Sequence, residues 1–288
     1  MKKNWHLLLM LLLITSITVS AAQWEFSLGG SFNVPSLNNT YNPVYSPVFQ
    51  YQSGAVTEAS QELNLEGKNS GGLFLAVNHL FTPHFGIQAA AEFHKTSLKG
   101  SGNSYHVHLE YTALYPPDYT PTAVIFDRDI ALPDTDGHIN QLTLALNLLA
   151  RFDIGSHLHV DLSGGASYFR FKGEASTLGY SFYWLGGHSV MFSEFYKLSF
   201  TIEPASKIGV NIGGALNVKL SNMISLFVAC RYFYCSDASA DVNLKEILNP
   251  GEIIIMKTLE EITTEMNLPQ IQINPSFLNL ASGIKLTF

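Results

Sequence analysis

From Gln23 onward, apolar and polar residues take turns. Trp24, Phe26, Leu28, Gly30, Phe32 and Val34 alternate with Gln23, Glu25, Ser27, Gly29, Ser31 and Asn33, and a period of two puts the two sets on opposite faces of a β-strand. The pattern returns seven more times. A second strand sets Leu73, Leu75, Val77 and Phe81 against Gly72, Ala76 and Asn78, and a third sets Phe85, Ile87, Ala89, Ala91 and Phe93 against Gly86, Gln88, Ala90, Glu92 and His94. The fourth is the clearest, with Leu142, Leu144, Leu146, Leu148 and Phe152 opposite Thr143, Ala145, Asn147, Arg151 and Asp153. Leu158, Val160, Leu162 and Ala166 oppose His157, His159, Asp161, Ser163 and Ser167 in the fifth, and Ile208, Val210, Ile212, Leu216 and Val218 oppose Lys207, Asn211, Asn217 and Lys219 in the sixth. The seventh has Ile224, Leu226, Val228, Tyr232 and Tyr234 against Ser225, Ala229, Arg231 and Asp237. In the last, Leu278, Leu280, Ile284, Leu286 and Phe288 lie opposite Asn279, Ala281, Gly283, Lys285 and Thr287.

The connections alternate as regularly as the residues. Thr82-Pro83-His84, Ile154-Gly155-Ser156 and Leu220-Ser221-Asn222 are tight turns, whereas the segments reaching to about Asn69, from Lys99 to His138, from Gly173 to Pro204 and from Ser239 to Pro275 are long. All long connections therefore leave from one rim. Tyr168 to Lys172 breaks its alternation, which predicts a bulge, and Gly186-Gly187 is placed to turn a hairpin that prolongs the fifth and sixth strands. The Ile253 to Met266 stretch reads as a short strand or helix.

An even number of amphipathic strands, long loops on one side and short turns on the other predict an all-β fold: an eight-stranded antiparallel up-and-down transmembrane β-barrel with four long extracellular loops and three short periplasmic turns. A secreted, lipocalin-like barrel has the same strand number with its apolar face inward. Three features favour lipid outside: the apolar faces carry almost no charge, the opposite faces carry charges of both signs, and the loop lengths are lopsided. Aromatic residues also gather near strand ends, with Trp24, Phe81, Phe85, Phe152 and Phe288 at the turn rim and Tyr168, Tyr232 and Tyr234 toward the other.

The chain's end, in which Ser282 and Gly283 precede Leu286 and a final Phe288, resembles the terminal signal of bacterial outer-membrane barrels. With the topology, this makes the whole chain beyond residue 22 similar to the small eight-stranded group of OmpA, OmpX and OmpW. That resemblance implies residence in the cell outer membrane among its lipids and lipopolysaccharide, and delivery through the barrel-assembly machinery, with Gly283, Leu286 and Phe288 as the assembly signal. The amino-terminus fits such an address. Lys2 and Lys3, an apolar run from Leu7 to Ile14, and small residues at Ser20, Ala21 and Ala22 follow the order of a secretory signal peptide, so residues 1–22 are expected to be removed and 23–288 to form the barrel domain. The apolar run is shorter than the roughly 20 residues a spanning helix needs.

Composition narrows the partners. Removing Lys2 and Lys3 takes the net charge from −7 to −9, which argues against nucleic acid. Charged residues are only 14% of the chain, as suits sheets and loops rather than helical bundles. Cys230 and Cys235 fall on opposite faces of one strand about 16 Å apart, too far for a disulfide.

Candidate chemistry lies on the polar faces. Glu25 and Lys285 share a seam between the first and last strands near the turn rim and are expected to pair; Glu92 and Arg231 face one another across the barrel and are expected to form a central bridge in a plugged interior. His157, His159 and Asp161 have a ligand-like composition, but neighbouring inward residues on a strand are about 7 Å apart, too far for simultaneous metal binding. His106 and His108 make a weaker motif still. His94 and Ser97 face opposite sides, and Asp134 and Asp136 read as turn formers, so neither suggests a catalytic group. No catalytic residue, cofactor or metal is expected. The long aromatic loops suit contact with a host molecule, another envelope component or phage. The alternatives are an OmpW-like conduit for small or hydrophobic solutes and, less favoured, a lipid-modifying enzyme.

Overall fold

In the computed structural model, residues 23–43, 48–49, 56–115, 120–184, 191–248 and 268–288 are described. The signal segment 1–22, Gly186-Gly187 and the Ile253 to Met266 stretch lie outside them.

The alternating segments become eight ring strands: β1 (Gln23–Pro35), β2 (Ser70–Leu80), β3 (Phe85–Gly100), β4 (Thr135–Asp153), β5 (Leu158–Trp184), β6 (Met191–Lys219), β7 (Ile224–Tyr234) and β8 (Phe277–Thr287). Each pairs antiparallel with its chain neighbour, and β1 pairs with β8 from Glu25↔Thr287 to Pro35↔Phe277, which returns the ladder to its start. A sheet closed on itself has no unpaired edge within its ring, the condition for crossing hydrocarbon with strands.

The apolar set faces outward. Leu148 and Ile208 are each 75% exposed and Phe288 70%, whereas Thr143, Asn147 and Asn279 on the opposite faces are buried. A protein surrounded by water would reverse this. The rim positions of Trp24, Phe81, Phe85 and Phe152 are likewise exposed, and Trp24 packs its ring 4.2 Å from that of His79.

The three turns are short because side chains and glycine close them. Thr82 Oγ1 accepts from the backbone N–H of His84 and Phe85 at 3.3 and 3.0 Å, and Ser221 Oγ accepts from those of Met223 and Ile224 at 3.3 and 3.1 Å. Gly155 takes φ +80°, a value that other residues adopt at a steric cost. Three inward assignments are corrected at this rim, where Asp153, His157 and Lys219 are all exposed, and two more toward the other rim, where Lys207 and Asp237 are exposed. The lumen-facing alternation ends at Arg151, and His157 sits in the turn, 2.6 Å from Ser156 Oγ.

At the other rim the long connections are largely strands rather than loops. Strand Val56–Gly67 pairs with Asn38–Tyr41 and with Ser104–Tyr115, which pairs in turn with Thr120–Ala131. β5 and β6, with 27 and 29 residues, overshoot the roughly 10 residues a spanning strand needs and continue pairing to Trp184↔Met191, with one irregularity between Phe171 and Gly173. Val242–Leu248 lies along the extended part of β6, and Ala238–Ala240 pairs with Ile271–Ile273. Leu63, Leu65, Tyr105, Leu198, Phe200 and Ile202 are among the side chains of a hydrophobic core formed by this outer head.

Candidate functional site: the filled interior

Near the turn rim, two anions and two cations meet. Arg151 on β4 donates from Nη1 and Nη2 to both carboxylate oxygens of Glu25 on β1, at 2.6 and 2.7 Å, and from Nε and Nη2 to Asp161 on β5, at 2.7 and 3.0 Å. Lys285 on β8 donates to Asp161 at 2.8 Å and stands 3.4 Å from Glu25. Asn78 adds a hydrogen bond to Glu25 at 2.9 Å and Asn217 one to Asp161 at 3.2 Å. All four charged groups are at most 6% exposed. Formal charges cancel, which a low-dielectric interior requires of ions it buries. Lys285 thus lies beside Glu25, but Glu25 makes its bidentate contact with Arg151. The β1/β8 seam is close for a reason. Gly29 and Gly283 are register partners, and a Cβ on Gly283 would stand 2.1 Å from the Leu28 carbonyl oxygen.

Above the ionic cluster runs an amide network. Gln88 donates to Asn78 at 2.9 Å and accepts from Asn147 at 3.1 Å; Asn211 donates to Asn147 at 2.8 Å and to Ser167 at 2.8 Å. The expected Glu92–Arg231 bridge is not formed. Arg231 donates to Ser163 at 2.9 Å and also to Gln88, while Glu92 accepts from Asn33 at 3.1 Å and also from Ser31. Phe74 is the register partner of Glu92, and its ring centroid lies 5.8 Å from the Arg231 guanidinium, as does that of Phe233. The cation is held by one amide, one hydroxyl and two aromatic faces instead of by a carboxylate.

A third layer, toward the head, is aromatic. Phe233 and Phe277 stack at 4.6 Å, His94 lies 4.7 Å from Phe277, Phe169 meets Phe233 edge-on at 6.4 Å, and Phe74 lies 5.7 Å from Phe227. These inward phenylalanines were not singled out in the sequence, although Phe227 and Phe233 alternate with the outward residues of β7 and so declare their face.

The remaining chemical candidates separate. His159 is buried with Nε2 3.9 Å from Asp161, whereas His157 is outside. Among the described residues no group of three or more His, Cys, Asp or Glu side chains is placed to hold a metal ion. His106 and His108, on the outer sheet, pair with Asp129 and Asp127 at 2.9 and 3.1 Å. His94 is buried and Ser97 exposed, and Cys230 is an exposed free thiol while Cys235 is a buried one. On the head, Lys245 donates to Glu174 at 2.7 Å and holds that carboxyl below its usual range, while burial pushes the Tyr41 hydroxyl up.

The closed ring, its outward apolar band and its polar interior define an eight-stranded β-barrel of the outer-membrane kind. No family model matches the chain, and no curated protein does. Among solved structures it is similar to the outer membrane protein OprG of Pseudomonas aeruginosa at 11% identity, covering 94% of this chain and 98% of that one, with a TM-score of 0.45. It is also similar to a major outer membrane protein of Thermus thermophilus at 12% identity, covering 93% and 100%, with a TM-score of 0.41. For Ail, the attachment invasion locus protein of Yersinia pestis, the figures are 10% identity, 93% and 100% coverage, and 0.36. These are likenesses of shape, and nothing those proteins do passes to this chain by them.

Proposed function

We propose that this is a non-enzymatic protein of the cell outer membrane, in which a filled barrel serves as a rigid pedestal for a folded outer head, and that the head is a recognition surface. The observation that carries this reading is the division of the interior. Ionic, amide and aromatic layers occupy the lumen, and a separate hydrophobic core orders the strands beyond it. A conduit would leave its polar groups lining a path, whereas here Glu25, Asp161, Arg151, Lys285 and the amides of Asn78, Gln88, Asn147 and Asn211 bond one another, and the atoms left without a partner, such as Glu92 Oε2 and Arg231 Nη1, are buried. An ordered β-surface on a fixed base suits binding of a macromolecule of a host or of the envelope, because little entropy is lost on contact.

The test has two arms. Replacing the head segments 36–69, 101–134 and 235–276 with short turns should leave heat-modifiable gel mobility intact and abolish cell-surface attachment. In planar bilayers the full chain should give no stable, sizeable conductance. Retained attachment in the trimmed protein, or altered solute permeability as its sole effect, overturns the reading in favour of a channel.

A further inference from the structure

On the outward face of β3, β4 and β5 the apolar column stops at a sharp line. Ascending toward the head, the cross-strand rows run Ala91–Leu144–Tyr168, then Phe93–Leu142–Arg170, then Lys95–Asn140–Lys172. Leu144, Phe93 and Tyr168 are exposed apolar positions, and Arg170, Lys95 and Lys172, immediately next, are exposed cations. Strand spacing puts the Lys95 and Lys172 backbones about 10 Å apart, with Arg170 about 7 Å along β5 from Lys172, so three flexible side chains can close on one group between them. Two acids stand by the cluster: Glu174, two residues along β5, is engaged by Lys245, and Glu203, on β6 across the irregularity from Lys172, accepts from Asn243. Among the described residues the corresponding edge of β1, β7 and β8 is uncharged, with Val34 and Ser36, Tyr232 and Tyr234, and Leu278 in those places, while β6, next to β5, adds exposed Lys207 opposite Phe169 and exposed Asp237 follows β7.

We infer that Lys95, Arg170 and Lys172 form a site for the phosphorylated headgroup of an outer-leaflet lipid of the lipid A class, whose acyl chains lie along the Leu142, Leu144, Leu146 and Leu148 column. A phosphate monoester carries close to two negative charges and several acceptor oxygens, which matches a three-cation cluster better than a single-charge phosphodiester does. The apolar column beneath supplies what a soluble anion could not use. A general attraction to an anionic surface would spread cations around the rim, but these occupy one arc. The inference rests on the membrane placement proposed above and is independent of what the head binds.

The test uses the full refolded protein in detergent, with binding measured by native mass spectrometry against bis-phosphorylated lipid A, dephosphorylated lipid A, phosphatidylglycerol and inorganic phosphate. Lipid A with both phosphates should bind one per barrel, and its dephosphorylated form far more weakly. The K95Q/R170Q/K172Q variant should weaken binding on the order of 100-fold, from about fivefold for each cation near a membrane surface. Removing three cations elsewhere, in K68Q/K197Q/K219Q, should change it little. If the triple variant does not fold, K172Q alone should show the fivefold step. Equal binding of the dephosphorylated lipid, competition by inorganic phosphate at equal concentration, or unchanged affinity in a variant that keeps its gel shift overturns the site. Loss of the heat-dependent shift in the unmodified protein would instead overturn the barrel placement.

Discussion

Replacing Arg151 with Met tests the ionic cluster most directly. The guanidinium makes four hydrogen bonds of 2.6 to 3.0 Å to two carboxylates. Hydrogen bonds to charged groups are worth about 1.5–3 kcal/mol each, so a simple sum would reach roughly 6–12 kcal/mol. That sum overstates the loss, because the substitution also relieves the several kcal/mol spent on desolvating the arginine. What decides the outcome is the remainder: Glu25 and Asp161 would share Lys285, leaving one uncompensated negative charge. The expected destabilisation is about 3–5 kcal/mol. Restoring neutrality should recover part of it. In R151M/E25Q the surviving Asp161 and Lys285, 2.8 Å apart, still form a balanced pair, and the double variant should be more stable than R151M by about 2 kcal/mol. R151K, which keeps the charge but not the fork, should fall between. Urea unfolding in lipid vesicles, followed by tryptophan emission and gel mobility, gives these differences as midpoint shifts at constant slope. A loss under about 1 kcal/mol for R151M, or a double variant no more stable than the single, refutes the account.

Three further outcomes follow from the same structure. Phe233→Ala removes a ring stacked at 4.6 Å on Phe277 and should cost about 3–5 kcal/mol in the same unfolding assay. Gly283→Ala sets a methyl against the β1 backbone; it should cost about 1–3 kcal/mol and slow acquisition of the heat-modifiable form, whereas Ser282→Ala should do neither. Glu174 is held below the ordinary glutamate value of 4.5 by Lys245, so its bridge is intact above that value and is lost as pH falls through the depressed one. Amide exchange in Val242–Leu248 should therefore rise on acidification relative to neighbouring strands once intrinsic rates are corrected for, and E174Q should remove the pH step.

The ring was legible because lipid makes one demand at every outward position. Leu142 through Leu148 repeat it so regularly that face, strand count and turn positions follow from parity. Parity says nothing of where a strand stops, which is why Asp153, His157 and Lys219 are expected inside although the rim has already been reached. Nor does it give the contacts made across the lumen. Glu92 and Arg231 do face inward, but Phe74, the Gln88 amide and the Ser163 hydroxyl take up the arginine before the carboxylate can. Arg151 was assigned to the interior, yet its reach to Glu25, three strands away around the ring, depends on stagger that alternation does not encode. The head was hidden by composition. Leu63 and Leu65 alternate on one strand and Tyr105 and Val107 on another, but each run is short and sits among Asn, Gln, Ser and Glu, so its faces emerge only once the strands pair.

The hairpin of β5 and β6 passes from the barrel wall into the head with its ladder interrupted at one place, between Phe171 and Gly173. If the head binds a partner, a pull on it would load the ladders that β5 and β6 make with β4 and β7 in shear along the strand axis instead of peeling them singly from an edge. Wall and head are then one mechanical piece, with no weak joint between them.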